Sequence, residues 1–142
     1  VPGIDKIPSQ IGMLMKSVLI VEDEILVAMD LERILEDAGY RVAAIVADQK
    51  EAMSTAGAVD MAFVDINLRD GATGPEIARD LAKRYGARIV YVTANPAQIG
   101  EPAENAVGCI RKPFNEAAIL AAAALADPDQ QDAIGHEDVI RL

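Results

Sequence analysis

Val18-Leu19-Ile20-Val21-Glu22-Asp23-Glu24 is an unbroken apolar run that stops abruptly on three carboxylates. A continuous apolar run of this length reads as a short strand buried on both faces, which is the habit of parallel sheets. The neighbouring residues support that reading. Residues 24–38 repeat apolar side chains at helical spacing (Val27, Leu31, Ile34, Leu35, Ala38), and Gly39 stands where a helix C-terminus wants a residue with positive φ. A second strand is expected over 41–46. Asp48 and Glu51 form a capping-box pair that opens a weaker helix through Ala56. Residues 60–64 are a third strand. Pro75 suits a first helical turn, Ile77, Ala78, Leu81 and Tyr85 make a stripe, and Gly86 closes that helix. A fourth strand spans 88–92. Pro96, Gly100 and Pro102 leave only a short or frayed helix over 96–106. Residues 107–110 are a brief fifth strand, and Asn115 caps an Ala-rich helix running to Ala126. Five strands alternating with helices imply an α/β fold, a parallel sheet covered on both faces and joined by right-handed crossovers. The pattern leaves the strand order open.

Outside 17–126 the signals fade. Residues 1–16 read as a flexible tail, with Met13 or Met15 a candidate natural start and the preceding residues a vector remnant. Residues 127–142 are polar and acidic and are expected to be flexible, and nothing after 126 is long enough for an output domain. The 142 residues suit one domain. Aromatics are only 4% of the chain and Trp is absent, so Val, Ile, Leu, Met and Ala must fill the core. A net charge of −10 argues against nucleic acid as a partner. No apolar run approaches membrane-spanning length, and a single cysteine, Cys109, cannot form an internal disulfide. A reducing cytoplasm is the simplest compartment.

The chemistry lies where the strands stop. Strand one ends in Glu22-Asp23, strand three in Asp65 and strand four in Thr93, while strand five leads to Lys112-Pro113. Ligands of open parallel sheets bind beyond the carboxyl ends of the strands, so these residues gather at one edge. Taken singly, each is an ordinary loop residue or cap; their coincidence is what carries meaning. Close carboxylate pairs repel by about 4 kcal/mol at about 4 Å and an effective dielectric near 20. A divalent cation or Lys112 must therefore compensate them. All-oxygen ligation with water retained suits Mg²⁺, and a cation beside a carboxylate meets the requirement of phosphoryl transfer.

At these spacings the chain resembles the receiver domains of two-component response regulators. The resemblance rests on the 18–24 segment, Phe63-Val64-Asp65-Ile66-Asn67-Leu68, Val92-Thr93-Ala94 and Arg111-Lys112-Pro113-Phe114. It covers nearly all of 17–126 and implies a flavodoxin-like (βα)5 fold with sheet order 2-1-3-4-5. It also implies roles. Asp65 would be the phosphoacceptor, served by a histidine kinase or histidine phosphotransfer protein. Asp23, Asp65 and the backbone carbonyl of Asn67 would bind Mg²⁺, with Glu22 reaching it through water. Thr93 and Lys112 would hold the phosphoryl oxygens, and the peptide before Pro113 would be cis. Kinase docking would use Ile25, Leu26 and Met29 on the first helix, with Phe114 beside them. The protein would be a stand-alone signalling domain rather than an enzyme, acting as relay, phosphate sink or regulator of a partner.

Some positions depart from the family. Glu22 stands where Asp is frequent and Arg69 where Pro is frequent, and Gly74 falls one position late. That longer loop, with Asn95-Pro96, resembles the receivers of alphaproteobacterial general-stress signalling. Cys109 replaces the usual aromatic three residues before the lysine, which puts the usual aromatic switch in doubt. Two other readings compete. A haloacid-dehalogenase-like phosphatase would need a second Asp where Asn67 stands. A flavodoxin-like cofactor carrier would need a phosphate-cradling loop where three carboxylates stand.

Overall fold

A computed structural model describes residues 15–55, 57–130 and 133–142. Its elements, in chain order, are β1 (Ser17–Val21), α1 (Ile25–Asp37), β2 (Arg41–Val46), α2 (Gln49–Thr55), β3 (Met61–Val64), α3 (Gly74–Tyr85), β4 (Arg88–Thr93), a 3₁₀ turn (Pro96–Ile99), β5 (Ala106–Arg111), α4 (Glu116–Ala126) and β6 (Val139–Arg141). The sheet order is β2-β1-β3-β4-β5-β6. The first five strands are parallel, and β6 runs antiparallel to β5. The expected flavodoxin-like order is thus present, extended by one strand into a mixed sheet.

Local chemistry explains the boundaries. Gly39 and Gly86 close α1 and α3 with φ of 96° and 67°, a region costly for residues with a Cβ. Asp48 accepts from the Glu51 N–H at 2.8 Å, and the Glu51 carboxylate accepts from the Ala47 N–H at 2.9 Å, one residue earlier than in a standard capping box. Asn115 Oδ1 accepts from the Ala118 N–H at 2.8 Å and starts α4. The two prolines and Gly100 reduce the 96–106 segment to a single 3₁₀ turn.

The strands β1, β3 and β4 are almost wholly buried, and the sheet carries a core on each face. Leu19, Val64, Ile77, Leu81 and Tyr91 belong to one; Ile20, Leu31, Leu35, Phe63 and Ile119 belong to the other. In α1 the buried residues are Ala28, Leu31, Ile34 and Leu35. Val27 is half-buried and Ala38, at the C-cap, is exposed, so the inward stripe is turned slightly from the expected one.

The expectation for 127–142 is corrected at its end. Residues 139–141 pair with 108–110, and Val139 is buried. Three residues show too little alternation to be read as a strand, and their place is made by β5. A Cβ on Gly108 would lie 3.0 Å from Val139 Cγ1 and 3.3 Å from the Ile140 oxygen. The tail expected over 1–16 falls almost entirely outside the described residues; Met15 and Lys16 are its only described members.

Candidate phosphoacceptor and metal site

β1 and β3 are neighbours although β2 lies between them in the chain, so chain order reverses there and the crevice opens above their carboxyl ends. The Asp65 N–H donates to the Val21 carbonyl at 2.9 Å, and the Glu22 N–H to the Val46 carbonyl at 2.9 Å. These bonds carry the sheet ladder one residue past each strand and fix both carboxylates on the same rim. Asp23 comes next, on the exposed side. Ligand oxygens of Glu22, Asp23 and Asp65 all lie within 4.8 Å of one another.

Lys112 reaches in from the far side of the sheet. Its Nζ donates to Glu22 Oε1 at 2.6 Å and to Asp65 Oδ2 at 2.9 Å. The second Glu22 oxygen accepts from the Glu24 N–H at 3.2 Å, and Asp65 Oδ1 accepts from the Ile66 N–H at 2.7 Å. Glu22 is 2% exposed and Asp65 8%. Burial pushes the Glu22 carboxyl up to about 7; the Lys112 hydrogen bond opposes that shift and the Asp65 charge adds to it. Burial pulls the Lys112 ammonium down, but the bonds to Asp65 and Glu22 outweigh it and leave the group raised. One ammonium thus faces three carboxylates. Hard oxygen donors in that excess are a donor set that suits Mg²⁺.

The remaining candidate residues divide. Thr93 ends β4 at 1% exposure, and its Oγ1 accepts from the Asn95 N–H at 3.1 Å. The Lys112–Pro113 peptide is cis. Asn67 is exposed and its amide donates to Gln98 Oε1 at 2.8 Å, tying the loop after Asp65 to the 3₁₀ turn. Ile25, Leu26 and Met29 stand exposed at 62, 79 and 53%. Leu26 and Val27 join Phe114 and Pro113 around an open groove of about 530 Å³, whereas Ile25 and Met29 lie outside its lining. Cys109 is buried away from the crevice. It stands beside Tyr91, whose hydroxyl accepts from the Ala103 N–H at 3.0 Å.

Three contributors escaped the sequence reading. The Gly74 N–H donates to the Ile66 carbonyl at 3.0 Å, and the glycine packs directly against the Asp65 backbone. Its late position in the loop was visible, but not what it touches. Arg69 pins the same loop to α2 through Asp48 (2.8 Å) and Glu51 (3.0 Å). Tyr91 lies in the expected fourth strand but outside the residue types expected to fill the core; it is fully buried, and only the fold reveals its hydroxyl partner.

Comparison with known proteins places the chain among receiver domains. The sequence profile described as the response regulator receiver domain matches residues 18–124. The phyllosphere-induced regulator PhyR of Methylorubrum extorquens is 36% identical over 121 residues, covering 82% of this chain and 45% of that protein. The transcriptional regulatory protein PdtaR of Mycobacterium tuberculosis is 32% identical over 118 residues, covering 78% and 56%. The chain therefore spans about half the length of these relatives. Among solved structures, the receiver domain of PhyR from Erythrobacter litoralis superposes with a TM-score of 0.72 at 25% identity, over 81% of this chain and 92% of that one.

Proposed function

The chain belongs to the response regulator receiver domain family, and from that premise we propose that Asp65 accepts a phosphoryl group from a histidine kinase or a histidine phosphotransfer protein. The observation that carries the proposal is the Lys112 ammonium held on both Asp65 and Glu22 beside a third carboxylate. A carboxylate oxygen of Asp65 attacks the phosphorus of a phosphohistidine, the P–N bond breaks, and the imidazole leaves. Lys112 transfers its contact to the incoming anion, and the Thr93 hydroxyl at the end of β4 donates to it. Glu22, Asp23, Asp65 and the Asn67 carbonyl are the groups proposed to hold Mg²⁺. When bound, the ion supplies charge neutralisation for the transferred oxygens. Asn67 offers no carboxyl group for acid–base work, which supports a switch rather than a phosphatase.

Leu26, Met29 and Ile25 on α1, with Phe114 across the groove, are proposed as the donor's docking face, an apolar patch among charges. The output is a change in partner binding, relay to a further histidine, or storage of phosphate, in the cytoplasm. The test is labelling with acetyl phosphate, read by intact and fragment mass spectrometry. One phosphoryl group is expected on the wild type and on Asp70→Asn, and none on Asp65→Asn. Asp70 is exposed and occupied in the loop by Thr73 and the Gln49 N–H. An acyl phosphate located on another residue overturns the assignment.

A further inference from the structure

The acceptor site and the C-terminal strand share one short connection. Lys112, bonded to Glu22 and Asp65, comes directly after β5, and its N–H donates to the Thr93 carbonyl at 2.9 Å. Three residues later, Asn115 uses both ends of its amide. Oδ1 caps α4, and Nδ2 donates to Asp138 Oδ2 at 2.8 Å, just before β6. β6 then pairs Val139 with Ile110, two residues ahead of Lys112, and the Leu142 N–H donates to the Val107 carbonyl at 3.3 Å. The strap is therefore held on both sides of the turn that carries the phosphate-facing lysine. β5 is shaped for it: among the described residues, and apart from Gly108's own chain neighbours, the atoms within 4 Å of a Cβ built on Gly108 belong to Val139 and Ile140.

We propose that residues 137–142 are a releasable strap over the β5 edge, whose docking is coupled through the 112–115 turn to occupancy of Asp65. This coupling rests on the phosphoacceptor role of Asp65. An anion on Asp65 draws the Lys112 ammonium off Glu22 and moves the turn. The Asn115–Asp138 bond and the three-residue ladder cannot both follow, and the strap loosens, baring the hydrogen-bonding edge at Gly108–Ile110. Val139 is the one β6 side chain buried in a core, so opening the three-residue ladder gives up the packing of a single residue at the sheet edge and leaves the other core untouched. Coupling of this kind is reciprocal, so a loosened strap must also tighten anion binding.

The experiment uses the full chain with Mg²⁺ and beryllofluoride, an acyl-phosphate mimic. The mimic's affinity is read from the shift in melting temperature, and strap docking from amide hydrogen exchange at 108–110 and 139–141. Exchange there is expected to accelerate on the order of fivefold or more on saturation, with the central β1 and β3 amides unchanged. Gly108→Val fills the clearance that β6 needs, while suiting a β-strand. Asp138→Ala removes an exposed anchor, together with its 3.9 Å contact with His136, and keeps the test valid should the first variant fold poorly. Both are expected to bind the mimic more tightly than wild type. If the mimic binds while exchange at 108–110 stays constant, or while both variants keep wild-type affinity, the strap is only structural and the inference is wrong. If the mimic does not bind at all, the phosphoacceptor reading itself has failed.

Discussion

At Gly74 a single hydrogen decides whether Asp65, the proposed acceptor, stays in place. A Cβ there would overlap the Asp65 backbone oxygen and stand 2.6 Å from the Ile66 Cα, so the backbone carrying the carboxylate would have to retreat. Gly74→Ala is expected to cost about 1–3 kcal/mol, as overpacking does, and to slow labelling of Asp65 by acetyl phosphate. Gly57→Ala, at a glycine with open space around it, should leave melting temperature and labelling as they are. Cys109 allows a second check. Burial pushes its thiol from about 9 up to about 11, and it is 1% exposed. The folded state holds that proton more tightly than the unfolded chain, so this contribution is intact below about pH 9 and is lost as pH rises toward 11. Native protein at pH 8 should resist iodoacetamide, and unfolded protein should not; rapid native labelling, read by mass spectrometry, would show that β5 is open. Which residues meet at the rim was legible because each stands where an apolar run ends. That Lys112 binds Glu22 as well as Asp65, and that Gly74 supports the acceptor, was not, because both depend on distances between segments far apart in the chain.

The elements differ in how plainly local chemistry announces them. α1, α3 and α4 have stripes or caps that can be read directly, and their observed ends lie within a residue or two of the expected ones. β6 has neither signal, because its place comes from the clearance at Gly108 and from Asn115 rather than from its own sequence. The proposed docking face is an intermediate case. Plotting α1 at 100° per residue separates Ile25, Leu26 and Met29 from the core stripe, and all three are exposed. The groove between Leu26 and Phe114 needed the fold. Because Met29 is more than half exposed, Met29→Asp should change the melting temperature little. If the face receives the histidine donor, phosphotransfer from a cognate kinase should slow on the order of tenfold, about 1.4 kcal/mol, while labelling by acetyl phosphate is unaffected. Equal slowing with both donors would assign Met29 to the structure of the site instead.

On the scale of the whole molecule, the five parallel strands send their carboxyl ends the same way, so a single topology gathers distant carboxylates at one rim. The alternation of strands and helices was sufficient to foresee that rim, whereas the reversal of order between β1 and β3 was supplied by family resemblance. The electrostatic consequence extends beyond the pocket. The chain carries a net charge of −10, and at the rim three carboxylates lie together with one ammonium, which is bonded to two of them. The metal-free fold therefore bears repulsion that a divalent cation would relieve, and a ligand that binds only the folded state stabilises it by mass action. At Mg²⁺ concentrations about ten times Kd the gain is about 1.4 kcal/mol, a rise of a few degrees in melting temperature for a domain of this size. Asp23 separates the two contributions. It is the exposed member of the trio, so Asp23→Asn removes a repelling charge without leaving a buried group unpaired. The variant should melt at or above the wild-type temperature in EDTA, yet lose most of the rise on adding Mg²⁺. Matched ionic strength from NaCl distinguishes site binding from general screening of the acidic surface, since screening would stabilise both proteins alike. A wild-type melting curve that ignores Mg²⁺ at constant ionic strength would count against the metal site, whatever the closeness of its carboxylates.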